Sequence, residues 1–301
     1  MPLNYHLLDV FTDRQFGGNQ LAVFPDPPKD LPRCTMQQIA QEMNLSEVTF
    51  LFPPADRAND YRLRIFTPAA ELPMAGHPTV GAAYALAHIG RLGSLEGART
   101  IVFEEGVGPI SVSIEANEDG APEEVWMRQP IPQFHDMFHD RRGIAEMLSL
   151  SEDDLVESAP LQVLSSGLPF LYVPVRSLEA IKRVQLKHDK WQNLLAGSNA
   201  ENLFITTMET VCGSSTAHSR MFAPALGISE DPATGSASGP LGVYLLKYGL
   251  AEADEMISEQ GFEMGRRSMI GIRIKRSGPD ISGVAIGGQC AYMGYGTLLI
   301  N

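Results

Sequence analysis

Residues 71–87 read "ELPMAGHPTVGAAYALA" and set an ionisable His77 at the mouth of a run that carries no charge from Pro78 to Ala87. A second stretch follows the same pattern. His77-Pro78-Thr79-Val80-Gly81-Ala82-Ala83 lines up with Asp231-Pro232-Ala233-Thr234-Gly235-Ser236-Ala237, at an offset of 231 − 77 = 154 residues in a chain of 301. Both have the form (His or Asp)-Pro-x-x-Gly-(Ala or Ser)-Ala. A fainter echo pairs "GNQLAVF" at 18–24 with "GLPFLYV" at 167–173, an offset of 149. Similar offsets near half the chain point to two repeated, domain-sized units.

The two motifs also predict the local structure. Proline fits the first helical position, where its missing N–H has no partner to lose. The residue before it then becomes the N-cap, a place that suits Asp231 well and His77 less well. From Pro232 to Leu246 there is again no formal charge. A helix without a polar face is buried all round. Pro240 is expected to kink the second helix or end it early.

Around these helices lie short β-rich runs: "YHLLDVF", "QLAVF", "EVTFLFPP", "YRLRIFT" and "EEVWMRQP", with "TIVFEEGVGPISVSI" as a hairpin turning over Gly106 to Pro109. The segment from about Pro130 to Pro160 breaks the pattern and reads as a connection between domains, with "HDRRGIAEMLSLSEDDLVE" at 139–157 as one or two surface helices. Strand-like runs then resume with "PLQVLSSG", "FLYVPV", "NLFITTM" and "HSRMFAP", and near the end "GIRIKRS" and "GVAIGGQCAYMGYGTLLI". The expectation is an α+β fold of two units, each an antiparallel barrel or curled sheet filled by its own helix.

Composition narrows the function. With 23 basic and 36 acidic side chains the net charge is −13, so a basic footprint for nucleic acid is missing. No run approaches the roughly 18 apolar residues that span a bilayer, and the N-terminus lacks the pattern of a signal peptide. Cys34, Cys212 and Cys290 are scattered and odd in number. That suits a reducing cytoplasm and gives no zinc spacing. His135 and His139 stand four apart, a spacing that on a helix would put two metal ligands on one face, but no third ligand accompanies them.

A helix N-terminus presents unpaired N–H groups and a positive dipole end. Small residues at Gly76, Gly81, Gly235 and Ser236 would let an anionic ligand approach such a terminus closely. Glu47, in "MNLSEVTFLF", opens an almost uninterrupted apolar run. It either faces water at a strand's first residue or is poorly solvated and suited to proton transfer.

Five ordered blocks, "NLSEVTFLF", "RIFTPAAELPMAGHPTVGAAYAL", "SSGLPFLYVPV", "MFAPALGISEDPATGSASG" and "EQGFEMGRRSMIGIRI", resemble the PhzF-like family from about Tyr5 to Leu299. That family is named for a phenazine-biosynthesis isomerase and shares the fold of diaminopimelate epimerase. The resemblance implies two pseudo-symmetric domains, each a β-barrel around a central helix, with the active site in the cleft between them. The boundaries would be 1–128 plus about 287–301 for the N-terminal domain and 129–286 for the C-terminal one. It implies Glu47 as acid/base, His77 and Asp231 as its catalytic partners, and Gly76, Gly235 and Ser236 as substrate-binding residues. It also implies a homodimer, no metal and no organic cofactor.

Epimerases and proline racemases of this fold carry a cysteine just before the glycine of the first motif, and another opposite. Here Ala75 stands in "MAGHP" and the second motif reads "EDPATG". Two-thiol racemisation therefore gives way to a single carboxylate moving a proton within a small carboxylate-bearing substrate. The alternative is a non-catalytic ligand-binding or interaction protein on the same scaffold. Gln20 and Arg267 occupy places that are often proline in relatives and bear on the shape of the site.

Overall fold

The uncharged runs do become buried helices. The computed structural model describes residues 1–278 and 280–300, in two compact units. The first comprises 1–128 with 285–301, the second 129–284.

The first unit contains β1 (Pro2–Val10), β2 (Asn19–Phe24), α1 (Arg33–Met43), β3 (Glu47–Phe52), β4 (Tyr61–Phe66), β5 (Glu71–Leu72), α2 (Gly76–His88), β6 (Ala98–Glu105), β7 (Gly108–Ala116) and β8 (Pro122–Gln129). The second contains β9 (Gln133–Phe138), α3 (Arg141–Met147), β10 (Leu161–Ser165), β11 (Pro169–Pro174), α4 (Leu178–Arg183), α5 (His188–Leu194), β12 (Leu203–Thr207), β13 (Ala217–Ala223), β14 (Ile228–Asp231), α6 (Gly235–Lys247), β15 (Glu255–Gln260) and β16 (Ser268–Ser277). The chain then returns to the first unit along β17 (Asp280–Gly288) and ends it with β18 (Cys290–Leu299).

Strand pairing repeats between the units. In the first, β1–β2 is antiparallel, β2–β3 parallel, β3–β4 antiparallel, β4–β6 parallel and β6–β7 antiparallel. In the second, β10–β11, β11–β12, β12–β13, β13–β15 and β15–β16 follow the same alternation. A short strand hangs on the fourth of each series, β5 on β4 and β14 on β13, and leads towards the central helix. The ladders are thus mixed rather than purely antiparallel. Parallel neighbours need a crossover, and α1, α2 and α6 lie in three of these connections.

Each sheet wraps its helix. α2 packs against β18, β1, β2 and β3 and also against β7, towards the other end of the strand order. α6 likewise touches both β10 and β16. Every residue of α2 from Gly76 to Ala87 is buried. Gly81 lets this helix sit close: a Cβ there would lie 2.5 Å from Leu21 Cδ2 and 2.7 Å from Val10 Cγ2. Its small size therefore serves helix–sheet packing, not ligand approach.

Several local expectations are corrected. Neither Asp231 nor His77 is an N-cap. α2 starts at Gly76 with Ala75 as its cap, so His77 lies inside the first turn. α6 starts four residues beyond Asp231, with Thr234 as its cap. Pro240 does not end α6. Pro240 has no N–H for the carbonyl of Ser236. The carbonyls of the neighbouring Gly235 and Ala237 accept from Gln129 Nε2 (3.0 Å) and Tyr172 Oη (2.7 Å). The hairpin turn is only Gly106-Val107, since Glu105 pairs Gly108. The segment after Pro130 is not a mere connection: it opens as β9, paired with β10, and the expected surface helix follows as α3. His135 lies in that strand and His139 just beyond it, so no helical face joins them.

Candidate active site

Glu47 owes its place to the end of α1. Asn44 takes the left-handed conformation (φ 49°) and closes the helix on Ala40 O, after which Leu45 and Ser46 lead into β3. The parallel register sets Leu21 beside Glu47, so Asn19, the first residue of β2, emerges at the same end of the sheet. The first turn of α2 brings His77 between them. Its Nε2 lies 3.3 Å from Glu47 Oε2, and its Nδ1 lies 3.2 Å from Asn19 Nδ2. All three residues are buried, with Glu47 7% exposed and His77 4%. The carboxyl does not face water as an ordinary strand-opening residue would.

Burial pushes the His77 imidazole down to about 3, against an opposing hydrogen bond to the Gln20 backbone. The ring is therefore neutral at ordinary pH, and Glu47 faces a polar ring rather than a fixed cation. Gln20 itself is exposed. Its contact with His77 is made through backbone, which a proline carbonyl would supply equally well.

In the second unit Asp231 closes β14 and is 5% exposed. Its Oδ2 accepts from Thr234 Oγ1 at 2.6 Å. Gln260, fully buried at the end of β15, donates from Nε2 to the Asp231 carbonyl (2.7 Å) and to Thr234 Oγ1 (2.9 Å). Its Oε1 accepts from the Thr234 N–H at 3.1 Å. Gly235 is buried at the first position of α6, and Ser236, next to it, is half-buried. Sequence reasoning missed Gln260. The signal was the quoted block "EQGFEMGRRS", whose glutamine precedes a glycine that packs on Pro232.

One residue before Gln260, Glu259 and His218 form a buried pair, Oε1 to Nδ1, at 2.8 Å. Glu259 Oε1 and Oε2 also accept from the N–H groups of Val211 and Cys212. Despite burial, these bonds bring Glu259 down to about 2 and raise His218, which also bonds Glu263. Thiols do not contribute to either motif. Cys290 is buried, which pushes its thiol up to about 12. Among the described residues no group of three or more His, Cys, Asp and Glu is arranged to hold a metal ion.

A family model for phenazine biosynthesis-like proteins matches residues 8–296. The chain belongs to this family. It is 36% identical over 304 residues to an uncharacterized isomerase of Mesorhizobium japonicum, covering 99% of both chains. To the trans-2,3-dihydro-3-hydroxyanthranilate isomerase of Pseudomonas fluorescens it is 33% identical over 298 residues, again covering 99% of each. A solved PhzF-family phenazine biosynthesis protein from Bacillus anthracis superposes with a TM-score of 0.88 at 29% identity, over 100% of both chains. This phenazine biosynthesis-like chain is accordingly an isomerase with the PhzF α+β fold. Among its described residues no helix is long and apolar enough to cross a membrane.

Proposed function

We propose that this isomerase moves a proton within a small carboxylate-bearing substrate without a cofactor, using Glu47 as the only proton carrier. The observation that carries the reading is the buried contact between Glu47 and a neutral His77. In its carboxylate form Glu47 takes a proton from one carbon. The C–H electron pair passes into the substrate's conjugated system, and the same carboxyl returns the proton at another carbon. A double bond shifts and no oxidant or reductant is consumed.

His77, held by Asn19, orients the reacting carboxyl and keeps a polar ring beside it. Gly76 offers backbone N–H at the start of α2, where a partial positive charge favours a substrate anion. Asp231 assists transfer by binding a polar hydrogen of the substrate. Gly235 and Ser236 hold its carboxylate at the start of α6. The name of the Pseudomonas fluorescens relative suggests trans-2,3-dihydro-3-hydroxyanthranilate as the first compound to try. We further assign the active form to a homodimer in the cytoplasm.

The test is solvent-deuterium incorporation, followed by NMR, into this compound and a panel of unsaturated carboxylates. Glu47→Gln should keep the fold and ligand binding while exchange falls about 100- to 10,000-fold, the range general acid–base groups supply. Undiminished exchange in that variant would remove Glu47 from the mechanism.

A further inference from the structure

We propose that Gln260 is a positioning residue that aims the Asp231 carboxylate through the hydroxyl of Thr234. This rests on the assignment of Asp231 to the reaction and adds two residues that need not touch the substrate. The direction of each hydrogen bond follows from the chemistry of the groups. Thr234 N–H can only donate and the Asp231 carbonyl can only accept, so the amide of Gln260 has one possible orientation. Its NH₂ group has only protons to give. Thr234 Oγ1, 2.9 Å away, must therefore accept from it. The hydroxyl's own proton is left for Asp231 Oδ2, at 2.6 Å.

One buried side chain thus ties both ends of the Asp231-Pro232-Ala233-Thr234 turn and fixes which way the hydroxyl of Thr234 points. The position of Gln260 is itself fixed from two sides. β13 and β15 pair in parallel with Ser219 beside Gln260 and His218 beside Glu259, so the buried His218–Glu259 contact anchors the preceding residue. Gly261, which follows, has φ +77° and lies against the turn. A Cβ there would stand 2.6 Å from Pro232 O and 2.4 Å from Arg266 O. Only glycine lets the end of β15 press on the turn in this way.

Thr234→Val separates positioning from folding. It keeps the shape of the side chain and the backbone bonds to Gln260, and deletes the hydroxyl's two bonds, the one it gives to Asp231 and the one it takes from Gln260 Nε2. Turnover in the deuterium assay should fall about 10- to 100-fold with KM within about threefold, as expected when a reacting group is misplaced by about 1 Å. Thr234→Ser should restore turnover to within about threefold of the native rate. Native turnover in Thr234→Val, or no rescue by Thr234→Ser, overturns the proposal. A crystal structure of Thr234→Val reads the same point without turnover: the Asp231 carboxylate should turn away from its native position, and an unmoved carboxylate overturns the clamp. Asp231→Asn tests the underlying assignment separately. Full turnover in that variant removes Asp231 from the reaction, while the crystallographic comparison still judges the clamp.

Discussion

Thr79 Oγ1, one turn into α2, lies 2.7 Å from the Ala75 carbonyl and 2.7 Å from Glu105 Oε1. A hydroxyl carries one proton, and the carbonyl can only accept it. The Glu105 carboxylate and the Ala75 carbonyl therefore compete for that proton, whereas a neutral Glu105 can donate to Thr79 and leave it to the carbonyl. Burial favours the neutral acid, pushing the carboxyl up to about 8 against the opposing bond from Thr79. Because the folded value lies above the ordinary 4.5, the native state binds more protons between those values, and stability falls as pH rises through that window. Glu105→Gln mimics the neutral acid and cannot ionise. Urea unfolding should show the variant gaining on the native protein as pH rises from about 5 to about 8. Equal slopes in the two proteins would mean that Glu105 is already ionised. Isosteric replacement thus has opposite expected effects at two buried carboxyls: loss of turnover at Glu47, added alkaline stability at Glu105.

The contacts between elements distinguish two buried glycines, Gly81 within α2 and Gly261 just after β15. At Gly81 an added methyl group meets the tip of Leu21 and a methyl of Val10, both side-chain atoms rather than backbone. Gly81→Ala should cost about 1–3 kcal/mol, the usual range for overpacking. At Gly261 the obstacles are backbone carbonyls at 2.4 and 2.6 Å, and φ is +77°. The left-handed conformation alone costs a non-glycine residue about 1–2 kcal/mol, and the carbonyls cannot yield without moving the turn after Asp231. Gly261→Ala should therefore be the more destabilising in urea unfolding, and should also lower turnover, because Gln260 moves with it. A milder effect at Gly261 than at Gly81 would contradict the packing described for β15.

At the scale of the molecule, the duplication was readable from the paired Pro-x-x-Gly motifs, and so were the two buried helices, most strands, and Glu47 with His77. What escaped depends on distant partners. β9 reads QFHDMF, half polar and half-exposed, with its apolar residues out of alternation, so no strand pattern marks it. Gln260 acts on Asp231 only because β13 and β15 pair in parallel, and no local pattern states a register. The helix starts differ by five motif positions because each is set by the short strand before it. The two units also protect their buried ionisable groups in opposite ways, which has a measurable consequence. In the first unit His77 is held neutral, down to about 3, so its contribution is lost as pH falls below its ordinary 6.5. Glu105 has the opposite slope from 4.5 to about 8, so the two cancel between 4.5 and 6.5. In the second unit Glu259, at about 2, contributes fully above its ordinary 4.5 and loses that contribution as pH falls towards 2. His218, raised, contributes fully below 6.5 and is lost as pH rises through its folded value. Both units are thus expected to be most stable over the same interval, one through neutral groups and the other through charged ones. Each contains one of the two tryptophans, Trp126 in the first and Trp191 in the second. Fluorescence of Trp191→Phe and Trp126→Phe proteins should therefore follow the units separately during urea unfolding. Adding Glu105→Gln should remove the alkaline decline of the Trp126 transition and leave that of Trp191 in place, whereas His218→Gln should lower the Trp191 transition most strongly near pH 5–6. Equal displacement of both signals by either substitution would show that the chain unfolds as a single cooperative unit, with the two sets of groups acting on one transition.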